Sequence, residues 1–312
     1  MNGMMGGGMM GGGVWGMPLG AALPIGLLLV LLLALLVVAL ALARRVSQRL
    51  DERIGAGVAR RLTRRRPPPA ADSGTFEALL LIPDITGYTH FMELSRFALG
   101  HAQYLVSELL VAMIEAGGEQ LRTLKIEGDA VFMYAPLQPG DDEPDRLGRL
   151  VVAVLAAFYR RQRELLRINS CGCAACGALP DLDIKAVADC GAVLFDAVAD
   201  RQEISGLPVI AVHRLLKSTV GQPHYLLLTE AAAARVRPAL AGPPRRMAQQ
   251  VRGLPDAACL VFGFDPAELA GPEQPAPPAG PLERLGDIRR KLGSSLHALR
   301  HRGRSPGPQL RS

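Results

Sequence analysis

Aromatic side chains are scarce in this sequence, since Phe, Trp and Tyr make up 4% of its 312 residues. A net charge of +6 would suit a nucleic-acid partner, but the Arg clusters at residues 44–66 and 284–304 contain no aromatic residue. Proteins that bind single strands stack bases on aromatic side chains beside a basic groove. The composition therefore argues against nucleic acid as a partner and predicts basic segments that face solvent or lipid.

Residues 20–43 contain no charged side chain and consist almost entirely of Leu, Val, Ala and Ile. An apolar run of this length is typical of a helix that spans a bilayer. A cleaved signal peptide is the alternative, but it has a shorter apolar region behind basic residues, and no Lys or Arg precedes this run. Because many Arg residues follow it, the positive-inside rule predicts a single-pass protein of the bacterial inner membrane, with its amino terminus outside and its main domain in the cytoplasm.

The segments around the central domain are basic or of low complexity. Residues 1–19 form a Met- and Gly-rich tail, for which disorder is favoured over binding of cuprous copper. Residues 44–74 are predicted as a basic juxtamembrane helix and a Pro linker, and the apolar stripe of this helix suits lipid contact, pairing with a second copy, or a solvated spacer. Residues 266–312 form a Pro-rich linker and a basic tail. The globular domain is therefore expected at residues 75–265.

Two acidic residues lie where predicted strands end or turn. Asp84 follows the apolar run Leu79-Leu-Leu-Ile-Pro and precedes a Gly turn, whereas Asp129 follows Gly128 in a predicted hairpin. A strand, a helix and a hairpin in this order can bring both carboxylates to one edge of a sheet. Paired carboxylates suit hard divalent cations and phosphate co-ligands. The pattern predicts a metal and phosphate site, although the first motif is also compatible with an ordinary turn capped by Thr86.

Two segments of the domain resemble the signature motifs of class III adenylyl and guanylyl cyclases, Ile82–Thr89 and Lys125–Asp129. With the Cys-x-Cys-x-x-Cys segment and His213–Lys217, they are similar to an uncharacterised group of bacterial cyclase-like domains. The resemblance covers about residues 75–265. It implies an α+β fold of the ferredoxin-like cyclase type, a nucleoside triphosphate as ligand, and a homodimer whose sites form between two protomers.

The resemblance also implies roles for individual residues. Asp84, Asp129 and the carbonyl group of Ile85 match the ligands of two Mg or Mn ions in that family. In the same family, a turn leads into a helix whose free backbone N–H groups bind phosphate. Gly87, Tyr88 and Thr89 match this turn.

Four more residues match positions that contact the nucleotide. Lys125 and Glu203 match the adenine-reading pair of adenylyl cyclases, which favours ATP over GTP. Arg214 matches the arginine that stabilises charge in the transition state, and Arg252 matches a phosphate-contacting lysine. Ile210 stands where the family has a ribose-orienting Asn, and loss of one such donor could cost on the order of a hundredfold in rate.

Together with the apolar segment, the resemblance implies a membrane-anchored nucleotidyl cyclase that forms 3′,5′-cyclic AMP from ATP with two Mg ions. The alternative is a degenerate cyclase-like module that binds nucleotide, or senses a metal ion or the redox state, without catalysis. Ile210 and the cysteine-rich segment favour this alternative.

Three cysteines, Cys171, Cys173 and Cys176, lie close together in a Gly- and Ala-rich segment. Clustered thiolates in a reducing compartment suit zinc, with Cys190 as the fourth ligand if the next strand runs past the loop. An iron–sulfur cluster and a redox thiol switch are the alternatives. His101 is expected on a helix face rather than among the ligands, so the sequence predicts a structural zinc site built from cysteines.

Overall fold

The computed structural model of this protein describes residues 74–137, 144–198, 201–218, 220–249, 257–271 and 277–301. The predicted amino-terminal tail, transmembrane helix and juxtamembrane segment lie outside these residues, and so does Arg252. Within the described ranges, none of the helices combines the length and the hydropathy that a bilayer span requires.

Strands and helices alternate along the domain. The strands are β1 (Gly74–Thr86), β2 (Arg122–Glu127), β3 (Ala130–Pro136), β4 (Asp183–Val198), β5 (Arg201–Ser205), β6 (Tyr225–Thr229), β7 (Arg245–Gln249) and β8 (Ala257–Gly263). The helices are α1 (Tyr88–Leu94), α2 (Leu99–Gly117), α3 (Pro144–Ile168), α4 (Ala174–Gly177), α5 (Leu207–Leu215), α6 (Glu230–Ala233), α7 (Pro266–Ala270) and α8 (Pro281–His301).

One mixed sheet runs through the domain in the order β2-β3-β1-β4-β6-β8-β7, with β5 paired to the far end of β4. Its first four strands are antiparallel to their neighbours, and their order and connections are those of a ferredoxin-like βαββαβ unit. Strand β6 then adds to β4 in parallel, and β8 and β7 continue the sheet. The predicted α+β fold is therefore confirmed.

Strand β1 is central because it has a partner on each side and cover on each face. Leu79, Leu81 and Ile85 lie in the core beneath α2 and α3, whereas Leu80 and Ile82 lie in a second core beneath α5. The alternation of side chains along a strand explains why a continuous apolar run was needed here. Asp84 is held on this strand between β3 on one side and β4 on the other.

Candidate functional site

The two predicted carboxylates come together at one end of β1. Asp84 is opposite Ala130 of β3, the residue that follows Asp129. The backbone N–H of Ile85 donates a hydrogen bond to the carbonyl of Asp129 at 3.2 Å. Gly128, with φ 66°, forms the left-handed turn of the β2–β3 hairpin that this approach requires. Both acidic side chains are partly buried at this corner of the sheet.

The surroundings of the two carboxylates raise the pKa of both. Burial raises the pKa of Asp129, and the charge of Asp84 raises it further. Burial also raises the pKa of Asp84, although the neighbouring ammonium of Lys185 opposes this shift. Two carboxylates held together in a partly buried corner repel each other, so a cation bound between them would stabilise both. The arrangement is thus chemically suited to a divalent metal ion.

Lys185 is a site residue that the sequence reasoning missed. It lies on β4 directly opposite Asp84, and its Nζ is 3.3 Å from Asp84 Oδ2. The signal was available, because Lys185 is the one basic residue of β4 and lies in the predicted buried strand. Its ammonium occupies one coordination direction of Asp84. Any metal ion at this corner must therefore share Asp84 with Lys185 or displace it.

The Gly turn after β1 has the predicted position and a left-handed conformation. Gly87 has φ 86° and precedes α1, a helix of seven residues. A Cβ at Gly87 would lie 3.1 Å from the carbonyl oxygen of Asp181, so the turn has little room for a side chain. The hydroxyl of Thr86 donates to the carbonyl of Pro223 at 3.0 Å rather than capping the helix. The phosphate-binding roles of Gly87, Tyr88 and Thr89 stay predictions.

Lys125 and Arg214, two of the residues predicted to contact the nucleotide, lie on a surface that β2 and α5 form together. Lys125 is exposed on β2 and its Nζ lies 2.6 Å from Glu127 Oε1. Glu127 also approaches His213 Nδ1 at 3.8 Å, next to the exposed Arg214 at the end of α5. Burial lowers the pKa of His213, and the charge of Glu127 opposes this shift. A basic and acidic surface is therefore formed by the end of β2 and the end of α5.

Glu203 lies far from Asp84 within one chain. It is opposite Asp196 on β4, whereas Asp84 is opposite Lys185 on the same strand. At roughly 3.3 Å per residue, Lys185 and Asp196 are more than about 30 Å apart. Glu203 and Asp84 can consequently act on one nucleotide only if they come from different protomers.

Ile210, which replaces the ribose-orienting Asn of the cyclase family, lies on α5 and is 41% exposed. An exposed isoleucine offers no hydrogen bond to a sugar. Because this side chain is exposed, packing in the core does not explain why an apolar residue occupies the position.

The cysteine segment forms a second cluster, with a histidine. The Nδ1 atom of His101, on α2, lies 3.2 Å from Cys173 Sγ, 3.6 Å from Cys171 Sγ and 3.9 Å from Cys176 Sγ. All four ligand atoms lie within 4.8 Å of one another. Burial and the charge of Lys291 lower the pKa of His101, which favours the neutral imidazole that metals bind.

The structure corrects the predicted fourth ligand of this cluster. Cys190 is buried on β4 opposite Leu79 and is not part of the group of four. Burial raises the pKa of its thiol to about 12. His101 lies on a face of α2, as expected, and that face brings its Nδ1 close to the three thiols. Its distance along the chain from Cys171 left no local signal that could have identified it.

The family and the relative that match this chain in sequence are both described without an activity. A family described as a protein of unknown function (DUF2652) matches residues 106–225. The uncharacterized protein Rv2561/Rv2562 of Mycobacterium tuberculosis is 31% identical over 128 residues, which are 41% of this chain and 58% of that protein. The chain thus spans less than two thirds of the length of that curated relative.

The solved structures similar in fold to this chain include adenylyl and guanylyl cyclases and an adenylyl cyclase-like ATP-binding protein from Pseudomonas aeruginosa. A bacterial light-regulated adenylyl cyclase has 15% identity and a TM-score of 0.47, over 81% of this chain and 69% of its own. The guanylate cyclase domain of RhGC from Catenaria anguillulae, in complex with GTP, has 15% identity and a TM-score of 0.43, over 62% of this chain and 99% of its own. These proteins belong to the class whose motifs the sequence resembles. With TM-scores below 0.5, the similarities assign neither an activity nor a substrate to this chain.

Proposed function

We propose that this domain binds a nucleoside triphosphate through Mg or Mn ions held by Asp84, Asp129 and the carbonyl of Ile85, and that a homodimer converts ATP into 3′,5′-cyclic AMP. The observation that carries the proposal is the meeting of the two carboxylates at one corner of the sheet, where Ile85 and Asp129 share a backbone hydrogen bond. Such oxygen ligands suit a divalent cation that also binds phosphate.

The chemistry requires a new bond between the ribose 3′-oxygen and the α-phosphorus, while pyrophosphate leaves and the hydroxyl proton passes to solvent. A divalent cation supplies charge neutralisation at the phosphates when it is bound. The carboxylates of Asp84 and Asp129 fix its position, and the exposed guanidinium of Arg214 is suited to the charge that develops on the phosphate oxygens. Lys125 and Glu203 would select adenine.

The distances within one chain support the homodimer of this proposal. Because Glu203 is more than about 30 Å from Asp84 along β4, a complete site needs the carboxylates of one protomer and Glu203 of the other. Membrane attachment through residues 20–43 is part of the same proposal. It is supported by the uncharged apolar sequence, and resistance of the full-length protein to extraction from membranes by alkaline carbonate would test it.

A second candidate function is nucleotide binding without turnover. Two observations favour it, the contact of Lys185 with Asp84 and the exposed Ile210 in place of a hydrogen-bonding residue. An ammonium on one metal ligand lowers the affinity for a second cation. The missing ribose contact would leave the 3′-hydroxyl without a positioning group.

Formation of cyclic nucleotide by the full-length protein in membranes or detergent tests the proposal directly. ATP or GTP would be supplied with Mg or Mn, and product measured by mass spectrometry. Asp84→Asn and Asp129→Asn each keep the side-chain shape but remove a charge, so we expect at least a hundredfold loss of product. Glu93→Gln, an exposed carboxylate change on α1, is the matched control and should keep full activity.

The outcomes separate the two candidate functions. Turnover that both Asn variants abolish supports the cyclase, and the preferred nucleotide tests Lys125 and Glu203. Metal-dependent binding of a nonhydrolysable ATP analogue without product supports the binding module. A folded protein that neither binds nor converts nucleotide would contradict both candidates.

A further inference from the structure

We propose that His101, Cys171, Cys173 and Cys176 bind one zinc ion, and that this ion joins the cysteine loop to the helices α2 and α8. The site lies on the helical side of the sheet, in contact with the core beneath α2 and α3. It is separate from the corner that holds Asp84. The proposal therefore does not depend on nucleotide binding or turnover.

The distances agree with tetrahedral zinc. With zinc–sulfur bonds of about 2.3 Å and a zinc–nitrogen bond of about 2.0 Å, tetrahedral geometry places nitrogen and sulfur roughly 3.6 Å apart. The three distances from His101 Nδ1 to the sulfur atoms are 3.2, 3.6 and 3.9 Å, which bracket this value. One histidine and three cysteines form a common ligand set of structural zinc sites.

The local backbone holds two of the cysteines in a metal-binding turn. Cys173 precedes α4, a single helical turn, and its carbonyl accepts a hydrogen bond from the N–H of Gly177 at 2.9 Å. This turn brings Cys176 back toward Cys173, as Cys-x-x-Cys ligand pairs require. Cys176 is buried, while Cys171 and Cys173 are partly exposed. The cluster is thus formed at the edge of the core, where an ion can enter.

Asn169 connects this loop to α8. Its Oδ1 accepts the backbone N–H of Cys171 at 3.0 Å, and its Nδ2 donates to the carbonyl of the same residue at 3.1 Å. The Nζ of Lys291, on α8, donates to the same Oδ1 at 2.7 Å. The position of Cys171 is therefore linked through one side chain to α8.

Lys291, which contacts Asn169, also belongs to a buried ion pair on α8. Lys291 and Asp287 form an ion pair at 2.7 Å, and their side chains are only 3% and 0% exposed. Burying two charges is costly unless other groups compensate them. Three thiolates, a neutral imidazole and Zn²⁺ carry a net charge of about −1. Because Lys291 and Asp287 neutralise each other, the ion pair and the occupied cluster together would also carry about −1.

Asp287 supplies a further reason for a metal at this place. Apart from the ion pair with Lys291, neither of its buried carboxylate oxygens has a hydrogen-bond partner among the described residues. A carboxylate that accepts the second ring N–H of a metal-bound histidine is a frequent arrangement in zinc proteins. Asp287 accepts no hydrogen bond from His101 in this structure, so such a pair would form only once an ion holds Nδ1 and leaves the proton on Nε2.

Close packing of the two helices adjoins the ligand. A Cβ added to Gly100, the residue before His101, would lie 2.7 Å from the Cα of Ser295 on α8. The backbones of α2 and α8 therefore approach each other directly beside His101. An ion bound by His101 and the loop would fix three elements at once, and its removal should loosen α8.

Metal analysis of the full-length protein, purified under reducing conditions without added metal, tests the site. We expect about one zinc ion per chain, and at least a tenfold lower content in Cys173→Ser and in His101→Asn. Cys190→Ala is the matched control, because this thiol is buried outside the cluster, and it should keep its zinc. Replacement of zinc by Co²⁺ in the wild-type protein should give the absorption spectrum of a tetrahedral thiolate complex, a result that does not rely on any variant.

Several results would overturn the zinc assignment. Iron and sulfide with a visible charge-transfer spectrum would indicate an iron–sulfur cluster, and a disulfide in freshly purified protein would indicate a redox pair. A folded protein that takes up neither zinc nor cobalt would exclude a metal site. Loss of zinc in Cys190→Ala but not in His101→Asn would return the fourth ligand to Cys190.

Hydrogen exchange tests the connection to α8. Removal of zinc from the wild-type protein by a chelator should increase exchange in α8 by at least tenfold, while β6 in the centre of the sheet should change little. Unchanged exchange in α8 after complete removal of zinc would contradict the joining role, even if zinc is bound.

Discussion

Replacement of Lys185 by Met should reveal whether the carboxylate corner is built for a divalent cation. The ammonium of Lys185 lies 3.3 Å from Asp84, and at an effective dielectric constant of about 20 their attraction is about 5 kcal/mol. Desolvation of both groups, which are 23% and 16% exposed, offsets part of this energy. We expect Lys185→Met to lower the free energy of unfolding by about 2–3 kcal/mol, or Tm by about 4–12 °C.

The informative measurement is the recovery of stability by Mn²⁺. In the variant, the metal ion no longer competes with an ammonium, so millimolar Mn²⁺ should restore most of the lost Tm and stabilise the variant more than the wild type. The double variant Lys185→Met with Asp84→Asn is the control, because it also lacks the ligand and should not respond. If Mn²⁺ leaves Tm of Lys185→Met unchanged, or raises Tm of the double variant equally, the corner is a structural ion pair and not a metal site.

The pH dependence of the same experiment has a defined sign. Burial raises the pKa of Asp84 and of Asp129 above 3.8, so without metal the folded state holds these protons more tightly than the unfolded state. Their contribution to stability is therefore lost as pH rises from 3.8 through the raised folded values. Without Lys185, the pKa of Asp84 should rise further. Stabilisation by Mn²⁺ should instead grow with pH across this window, because the ion binds only the deprotonated carboxylates.

Two further predictions concern the helices. In α3, Gly148→Ala places a Cβ against the backbone carbonyl of Arg237 and should cost about 2–3 kcal/mol of stability. In α8, Gly286→Ala meets only Arg290 Nη1 at 3.7 Å and should stabilise the protein by up to about 1 kcal/mol. Urea unfolding of both variants measures these changes. Hydrogen bonds from Arg167 lower the pKa of Glu283 to about 2, so its contribution is present above pH 4.5 and is lost as pH falls toward 2. Glu283→Gln should flatten acid unfolding in this window, and an unchanged profile would contradict the contact.

The local parts of both sites could be predicted because they depend on short-range chemistry. Asp84 ends an apolar run and is followed by Gly87, and this pattern predicts a buried strand that leads into a Gly turn. Cys171, Cys173 and Cys176 lie within reach of one another through the spacing of the chain alone. The approach of Asp129 to Asp84 was also predictable, since a hairpin after a βα unit has few places to pair in a sheet.

The partners of these residues were decided only by the tertiary structure. Lys185 meets Asp84 because the register of β1 with β4 makes them neighbours, and a shift of one residue would place Lys185 on the opposite face. His101 reaches the thiols because α2 packs beside the cysteine loop, and periodicity predicts the face of a helix but not what that face contacts. The sequence by itself therefore determined the ligand types and the turns that present them. Long-range pairing and packing decided which charge and which fourth ligand complete each site, because the energy of those contacts exists only once distant segments are brought together.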